Sequence, residues 1–154
     1  MSAAEHLNPR QFFHTSDAGQ VPRGDYMVHA GSYGAATQRG DMLASAGIKA
    51  DLMHQVRLVT PAVNDESSLV SDAAANVYGN AGHRGALAEY RRTSGTDTGY
   101  GHIPAAQQET DQHVLGRLAQ SETPKPLLYR NQFEDEGSTA VVAHRSQLRI
   151  RRYT

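Results

Sequence analysis

Apolar residues in this chain come only in short runs, strand-like at both ends and helix-like between them, and no run approaches the roughly 20 residues of a membrane span. At the N-terminal end a buried strand is expected over 10–15, centred on Phe12 and Phe13, and a second over Tyr26-Met27-Val28-His29. A strand follows over 52–60, stopped by Pro61, and three more at about 126–133, 139–144 and 147–153. In the last of these, Leu148 and Ile150 face one way while Arg149 and Arg151 face the other. Between the strands, Ser32 is a good N-cap for a helix over about 33–46, with Ala35, Ala36, Met42, Leu43 and Ala46 at helical spacing and Gly40 weakening its middle. Helical patches follow at about 68–79 and 83–92, separated by Gly79-Asn80-Ala81-Gly82, and Pro104 opens a helix to about Gln120 with Val114, Leu115 and Leu118 inward. Strands at both ends with helices between argue for an α+β fold rather than a regular βαβ series.

The 154 residues are expected to form one domain over 10–154, preceded by an arm over 1–9 that ends at Asn8-Pro9. With 38% apolar and 6% aromatic residues, the core is small and the polar connections long, among them a Gly/Thr-rich loop over 93–103. The formal net charge of −1 gives no whole-chain attraction to nucleic acid or membrane. Two lysines stand against thirteen arginines, a bias that reads as the codon usage of a GC-rich genome. With no cysteine, disulfides, thiolate catalysis and Cys-based zinc sites are excluded. His83, His102 and His113 are widely spaced and no His-x-x-x-His pair exists, so no metal is expected. No Walker loop or Gly-x-Gly-x-x-Gly fingerprint occurs, and the tripeptides Arg23-Gly24-Asp25 and Arg39-Gly40-Asp41 read as chance turn chemistry. The first residues lack the basic and apolar stretches of a signal peptide, so the expected location is cytoplasmic or virion-associated.

Two histidines stand where chemistry could be held by rigid elements. His14 follows two phenylalanines at a strand end, and His29 closes the second strand and leads into a helix start, whose free N–H groups favour anions. Both also suit the commoner role of strand-end histidines bonded to backbone carbonyls. Near the other end, Glu134-Asp135-Glu136 precedes Gly137-Ser138-Thr139 as an acidic turn. At least two of its three carboxylates suit a solvated hairpin, and Glu134, beside the apolar Phe133, is the first candidate for a functional one. Alternation puts Tyr129, Asn131 and Phe133 on one strand face. Arg145, Arg149, Arg151 and Arg152 make a basic C-terminal strand that suits a phosphate, RNA or a solvated sheet face.

Taken in order, His14-Thr15-Ser16, then His29-Ala30-Gly31-Ser32 with Ala35, Ala36 and Arg39, then Tyr129-Arg130-Asn131 through Glu134, and Gly137-Ser138-Thr139-Ala140-Val141-Val142 with Gln147, form a pattern. It resembles ADP-ribosyltransferase-like domains, most closely those phage and bacterial members that end in a YxNxxExxGSxSxVV pattern. The resemblance covers both ends of the chain and little of the middle. It implies an α+β fold of two small antiparallel or mixed sheets with a cleft between them and a few flanking helices. It further implies that NAD+ lies in that cleft as substrate, with no metal. By position, His14 becomes the contact to the nicotinamide ribose, and the backbone of Thr15 and Ser16 holds the nicotinamide amide. His29, Ser32 and Tyr33 belong to a second motif that stacks on nicotinamide. Glu134, or failing it Glu136, supports the oxocarbenium-like transition state. Arg39, or an arginine of the 80s, grips the pyrophosphate. Tyr129, Asn131 and Thr139 complete the site. Two positions depart from the pattern: Thr15 replaces a common small glycine, and Thr139 stands where many members carry the catalytic acid.

Two functions follow from different classes. The first is an ADP-ribosyltransferase, a glycosyltransferase-type transferase that moves ADP-ribose from NAD+ to a protein or nucleic-acid target or hydrolyses NAD+. The second is a non-catalytic virion, structural or interaction protein, on the same fold with a degraded site or on another, stabilised by homo-oligomerisation or assembly in a virion.

Overall fold

The computed structural model describes residues 11–16, 27–48, 52–93 and 102–153. The expected arm 1–9, the Arg23-Gly24-Asp25 tripeptide and most of the 93–103 loop lie outside the described residues. The elements run β1 (Phe12–Ser16), β2 (Met27–Ala30), α1 (Tyr33–Ser45), β3 (Leu52–Leu58), α2 (Asp72–Thr93), α3 (Ala105–Ala119), β4 (Leu127–Arg130), β5 (Thr139–His144) and β6 (Leu148–Arg152). Short 3₁₀ turns occupy Glu66–Ser68 and Arg145–Gln147.

The strands form two three-stranded sheets, ordered β1-β3-β6 and β2-β5-β4, with every strand pair antiparallel rather than mixed. The α+β expectation therefore holds, with each sheet combining N-terminal and C-terminal strands. Alternation explains the layering. Tyr129, Ala140 and Val142 point from one face of β2-β5-β4 into a cluster with Tyr78, Tyr90, Val114, Leu115 and Leu118 of α2 and α3. Val28, Leu128, Val141 and Ala143 point from the opposite face into a second cluster with Phe12, Val56 and Leu148 of the other sheet. The helix pair, one sheet and the other sheet thus stack in three layers around two cores. Val114, Leu115 and Leu118, expected inward, are fully buried, and each such side chain contributes about 1.5–3 kcal/mol.

Several boundaries differ from expectation for local reasons. The two helical patches expected over 68–79 and 83–92 are borne out as the two halves of α2, which is broken between them at Gly82, where φ is 76° and ψ 170°. Only glycine adopts that conformation without strain. The helix starts at Asp72 rather than 68, because Val70 is drawn into a parallel bridge with Tyr129. Its N–H donates to the Leu128 carbonyl at 3.3 Å, and its own carbonyl accepts from Arg130 N–H at 2.9 Å. Strand β4 stops at Arg130, short of the expected Phe133, so Tyr129, Asn131 and Phe133 do not share a strand face. In β6, Leu148 is buried and Ile150 packs on the core while Arg149 and Arg151 are exposed, as the alternation required. Among the described residues no helix is long and apolar enough to cross a membrane.

Candidate functional site

The two sheets touch edge to edge through one antiparallel bridge, Phe13 with Gly31. Phe13 N–H donates to the Gly31 carbonyl at 2.7 Å and Gly31 N–H to the Phe13 carbonyl at 3.0 Å. Here β1, α1 and the turn after β4 crowd together. A Cβ on Gly31 would stand 3.2 Å from the Ala35 Cβ and 3.5 Å from Asn131 Nδ2. Beside the bridge opens a cavity of about 400 Å³, within the roughly 300–1,000 Å³ of small-molecule sites. Residues 13–15 and 27–31 form its floor, Ala36 and Arg39 of α1 one wall, Asp72 and Asn76 of α2 another, and Tyr129, Asn131, Phe133 and Glu134 the last.

Helix α1 is placed by its cap. Ser32 Oγ accepts from Ala35 N–H at 3.0 Å, as expected of an N-cap, and donates to Asp135 Oδ2 at 2.5 Å. Thr15 Oγ1 donates to the Ala36 carbonyl at 2.7 Å and ties the same helix to β1. The acidic turn docks on α1 through Asp135 N–H, which donates to Gln38 Oε1 at 2.7 Å. Asp135 takes a left-handed φ of 45°. Asn131 builds this turn from within. Its Oδ1 accepts from Phe133 N–H at 3.4 Å and Glu134 N–H at 3.2 Å, an alternative to strand pairing open to short polar side chains. The result aims Glu134 at the cavity, with Oε1 3.7 Å from Arg39 Nη1.

The histidines meet on the floor. His14 Nδ1 lies 2.9 Å from the His29 carbonyl oxygen. A carbonyl only accepts, so Nδ1 carries the proton. Burial lowers the pKa of His14, the His29 carbonyl opposes that shift, and the Arg39 charge adds to it. The neutral ring therefore presents Nε2 as an acceptor. His29 Nδ1 lies 3.2 Å from Tyr129 Oη, with the rings edge to face at 5.9 Å. Its pKa is lowered by burial first and then by His14 and Arg39.

The carboxylates shift the other way. Glu134 is raised chiefly by burial; Arg39 pulls it down and Asp72 pushes it up. Asp72 is raised by burial, against the hydrogen bond its Oδ2 accepts from Gln132 N–H at 2.9 Å. Burial disfavours the charged form of every one of these groups, so the histidines and the carboxylates of the cleft shift in opposite directions.

Of the residues singled out from the sequence, His14, Thr15, His29, Arg39, Tyr129, Asn131 and Glu134 all line the cavity. Ser32 lies just behind it, occupied with the helix cap and Asp135. Tyr33 is half exposed at the rim, where it packs edge to face with Phe13 and Tyr153, at centroid distances of 5.4 and 6.1 Å. Ser16 ends β1, and its side chain is outside the described ones. Thr139 is turned away: it shares a β5 face with Val141, opposite Ala140 and Val142, and its hydroxyl donates to Glu66 at 2.8–2.9 Å. Glu136 is exposed on the turn and does not line the cavity. Arg39-Gly40-Asp41 lies within α1. Among the described residues no group of three or more His, Asp or Glu side chains could hold a metal ion. Asp72 and Asn76, outside the residues singled out from the sequence, also line the cavity wall. Their one available signal was the i, i+4 spacing of two polar side chains on a helix otherwise rich in alanine. Comparisons with family models, curated proteins and solved structures give no match to this chain.

Proposed function

We propose that the cavity binds NAD+ on an ADP-ribosyltransferase-like fold, and that the protein cleaves the nicotinamide N-glycosidic bond, passing ADP-ribose to a macromolecule or to water. The observation that carries this reading is the convergence of His14, from the start of the chain, and Glu134, from near its end, on one cavity between two antiparallel sheets. Cleavage of this bond runs through an oxocarbenium-like species, so the protein's task is positioning and charge stabilisation rather than covalent chemistry.

The residues suit that division of labour. In this reading the Nε2 of neutral His14 accepts a ribose hydroxyl, its ring fixed by the His29 carbonyl. Glu134 lies against the developing positive charge, its backbone held by Asn131. Arg39 leaves its 3.7 Å pairing with Glu134 to engage the pyrophosphate, a charge-assisted contact suited to guanidinium. Phe13 and Phe133 give the nicotinamide ring apolar walls. Thr15, in place of a smaller residue, keeps its hydroxyl on the Ala36 carbonyl and so out of the nicotinamide's way.

Purified protein mixed with NAD+ is expected to release nicotinamide and to melt at a higher temperature. His14→Ala and Glu134→Ala are each expected to lower release at least about 100-fold, the scale of losing one preorganised electrostatic partner. Absence of both nicotinamide release and a thermal shift overturns the reading. The alternative, a non-catalytic virion or interaction protein, draws support from Phe13, Tyr33 and Tyr153, clustered at the cavity rim with Phe133 exposed beside them. A stable assembly that buries these rings and leaves NAD+ intact favours that alternative.

A further inference from the structure

We propose that Asp72 is the general base of the cavity, taking the proton from the hydroxyl nucleophile that captures the ADP-ribosyl group. The inference rests on the NAD+ reading and adds to it a second carboxylate with its own role.

Three features place Asp72 there. The bridge between Val70 and Tyr129 runs the chain alongside β4, so α2 begins at the cavity wall. Ser71 is then clamped by the buried Asp111, whose Oδ1 accepts from Ser71 N–H at 2.8 Å and whose Oδ2 accepts from Ser71 Oγ at 2.6 Å. Gln132 N–H, two residues before Glu134, donates to Asp72 Oδ2 at 2.9 Å. One oxygen is thus spent on orientation. The other, Oδ1, takes no hydrogen bond among the described residues. Burial, with only that one donor to oppose it, raises the affinity of this carboxylate for a proton. A base near its proton-accepting range is more effective than a strongly acidic carboxylate.

Glu134 cannot readily fill both roles. It faces Arg39 at 3.7 Å and is assigned to the ribose cation. Enzymes that cleave glycosidic bonds divide such work between two carboxyl groups flanking the sugar. The step balances without an oxidant. The bond from ribose C1′ to the nicotinamide nitrogen breaks, and its electron pair leaves with neutral nicotinamide. The nucleophile's oxygen forms the new bond to C1′, and its proton passes to Asp72 Oδ1. Asn76, one turn along α2 and also lining the wall, is suited to hold the incoming hydroxyl.

Azide separates this role from a structural one, because it is an anion that attacks carbon without losing a proton. Asp72→Asn keeps an acceptor for Gln132 N–H and removes the base. The full chain carrying it is expected to keep its NAD+ thermal shift and KM while nicotinamide release falls about 10²–10⁴-fold. Added azide is expected to restore release and yield an ADP-ribosyl azide. Glu134→Gln is expected to show no such rescue. Asp72→Ser, which retains a residue suited to a helix start, supplies the same readouts if the asparagine variant does not fold. Wild-type activity combined with an Asp72→Asn rate within about threefold of it, or a lost rate that azide does not restore, overturns the assignment of Asp72 alone. A wild-type protein that releases no nicotinamide overturns the NAD+ reading, and this assignment with it.

Discussion

Two acidic regions adjoin across a single peptide bond, and they treat their carboxylates in opposite ways. Asp111 is fully buried and surrounded by donors: Ser71 N–H and Oγ, Tyr90 Oη at 2.7 Å and Gln107 Nε2 at 2.8 Å. Asp72 and Glu134, beyond Ser71, are only partly buried, and each has less than a full set of partners. A buried carboxylate whose lone pairs are all engaged fixes geometry, whereas one left short of donors keeps an oxygen open to a ligand. The first arrangement makes a joint between α2, α3 and the chain entering the site; the second leaves reactive groups at its end. Burial of Tyr90 itself, and after it the hydrogen bond to Asp111 and the charge of that carboxylate, push the Tyr90 hydroxyl to a pKa well above its ordinary value, so it acts as the donor of the pair.

The comparison predicts unequal consequences. The largest belongs to Asp111→Ala, which orphans four donors at once. With about 1–3 kcal/mol lost for each buried group left unpaired, partly relieved by relaxation, stability should fall by roughly 4 kcal/mol. That is a drop in Tm of roughly 10 °C, readable by calorimetry or urea titration. A loss under about 1 kcal/mol would break the contrast between the two regions. Tyr90→Phe removes one of those donors and should cost about 1–2 kcal/mol while leaving the cavity in place.

Neutralising the cavity carboxylates should have the opposite sign. Their folded-state pKa values are raised, so the stability they contribute is fully present below the unfolded values of about 4, and is lost as pH rises through the folded values. Glu134→Gln should therefore melt about 1–3 °C above wild type at pH 7, a gain that closes below about pH 4. A lower Tm at neutral pH would mean that the pairing with Arg39 outweighs burial. The histidines behave conversely. His14 and His29 are lowered, so their contribution is present above about pH 6.5 and fades as pH falls through their folded values. Replacing His14 with Gln should flatten that part of the stability profile, a smaller effect than the others.

What the sequence disclosed and what it hid divide along similar lines. Local chemistry was legible: Ser32 caps α1, the glycine pair around residue 80 breaks α2 at Gly82, and Val114, Leu115 and Leu118 turn inward. The meeting of His14 with Glu134 was legible as motif order. Features set by neighbours distant in sequence were not. Asp72 reaches the cavity only because Val70 pairs with a strand almost 60 residues later, which no local pattern announces. Asn131 looked like a strand residue, yet its side chain captures the Phe133 and Glu134 amides and turns the chain. Thr139 matched a motif position but falls on the wrong side of β5, because side chains alternate and Ala140 and Val142 already face the helices.

The Phe13–Gly31 bridge has a consequence for how the molecule can be watched. Two amides, one in each sheet, are each protected by the other's carbonyl at the floor of the cleft. Any separation of the sheets exposes both together, so Phe13 and Gly31 should share one hydrogen–deuterium exchange protection factor, distinct from those of amides inside either sheet. A molecule that spans the cleft must slow both equally. The bridge is thus a built-in reporter of occupancy, readable without any catalytic turnover.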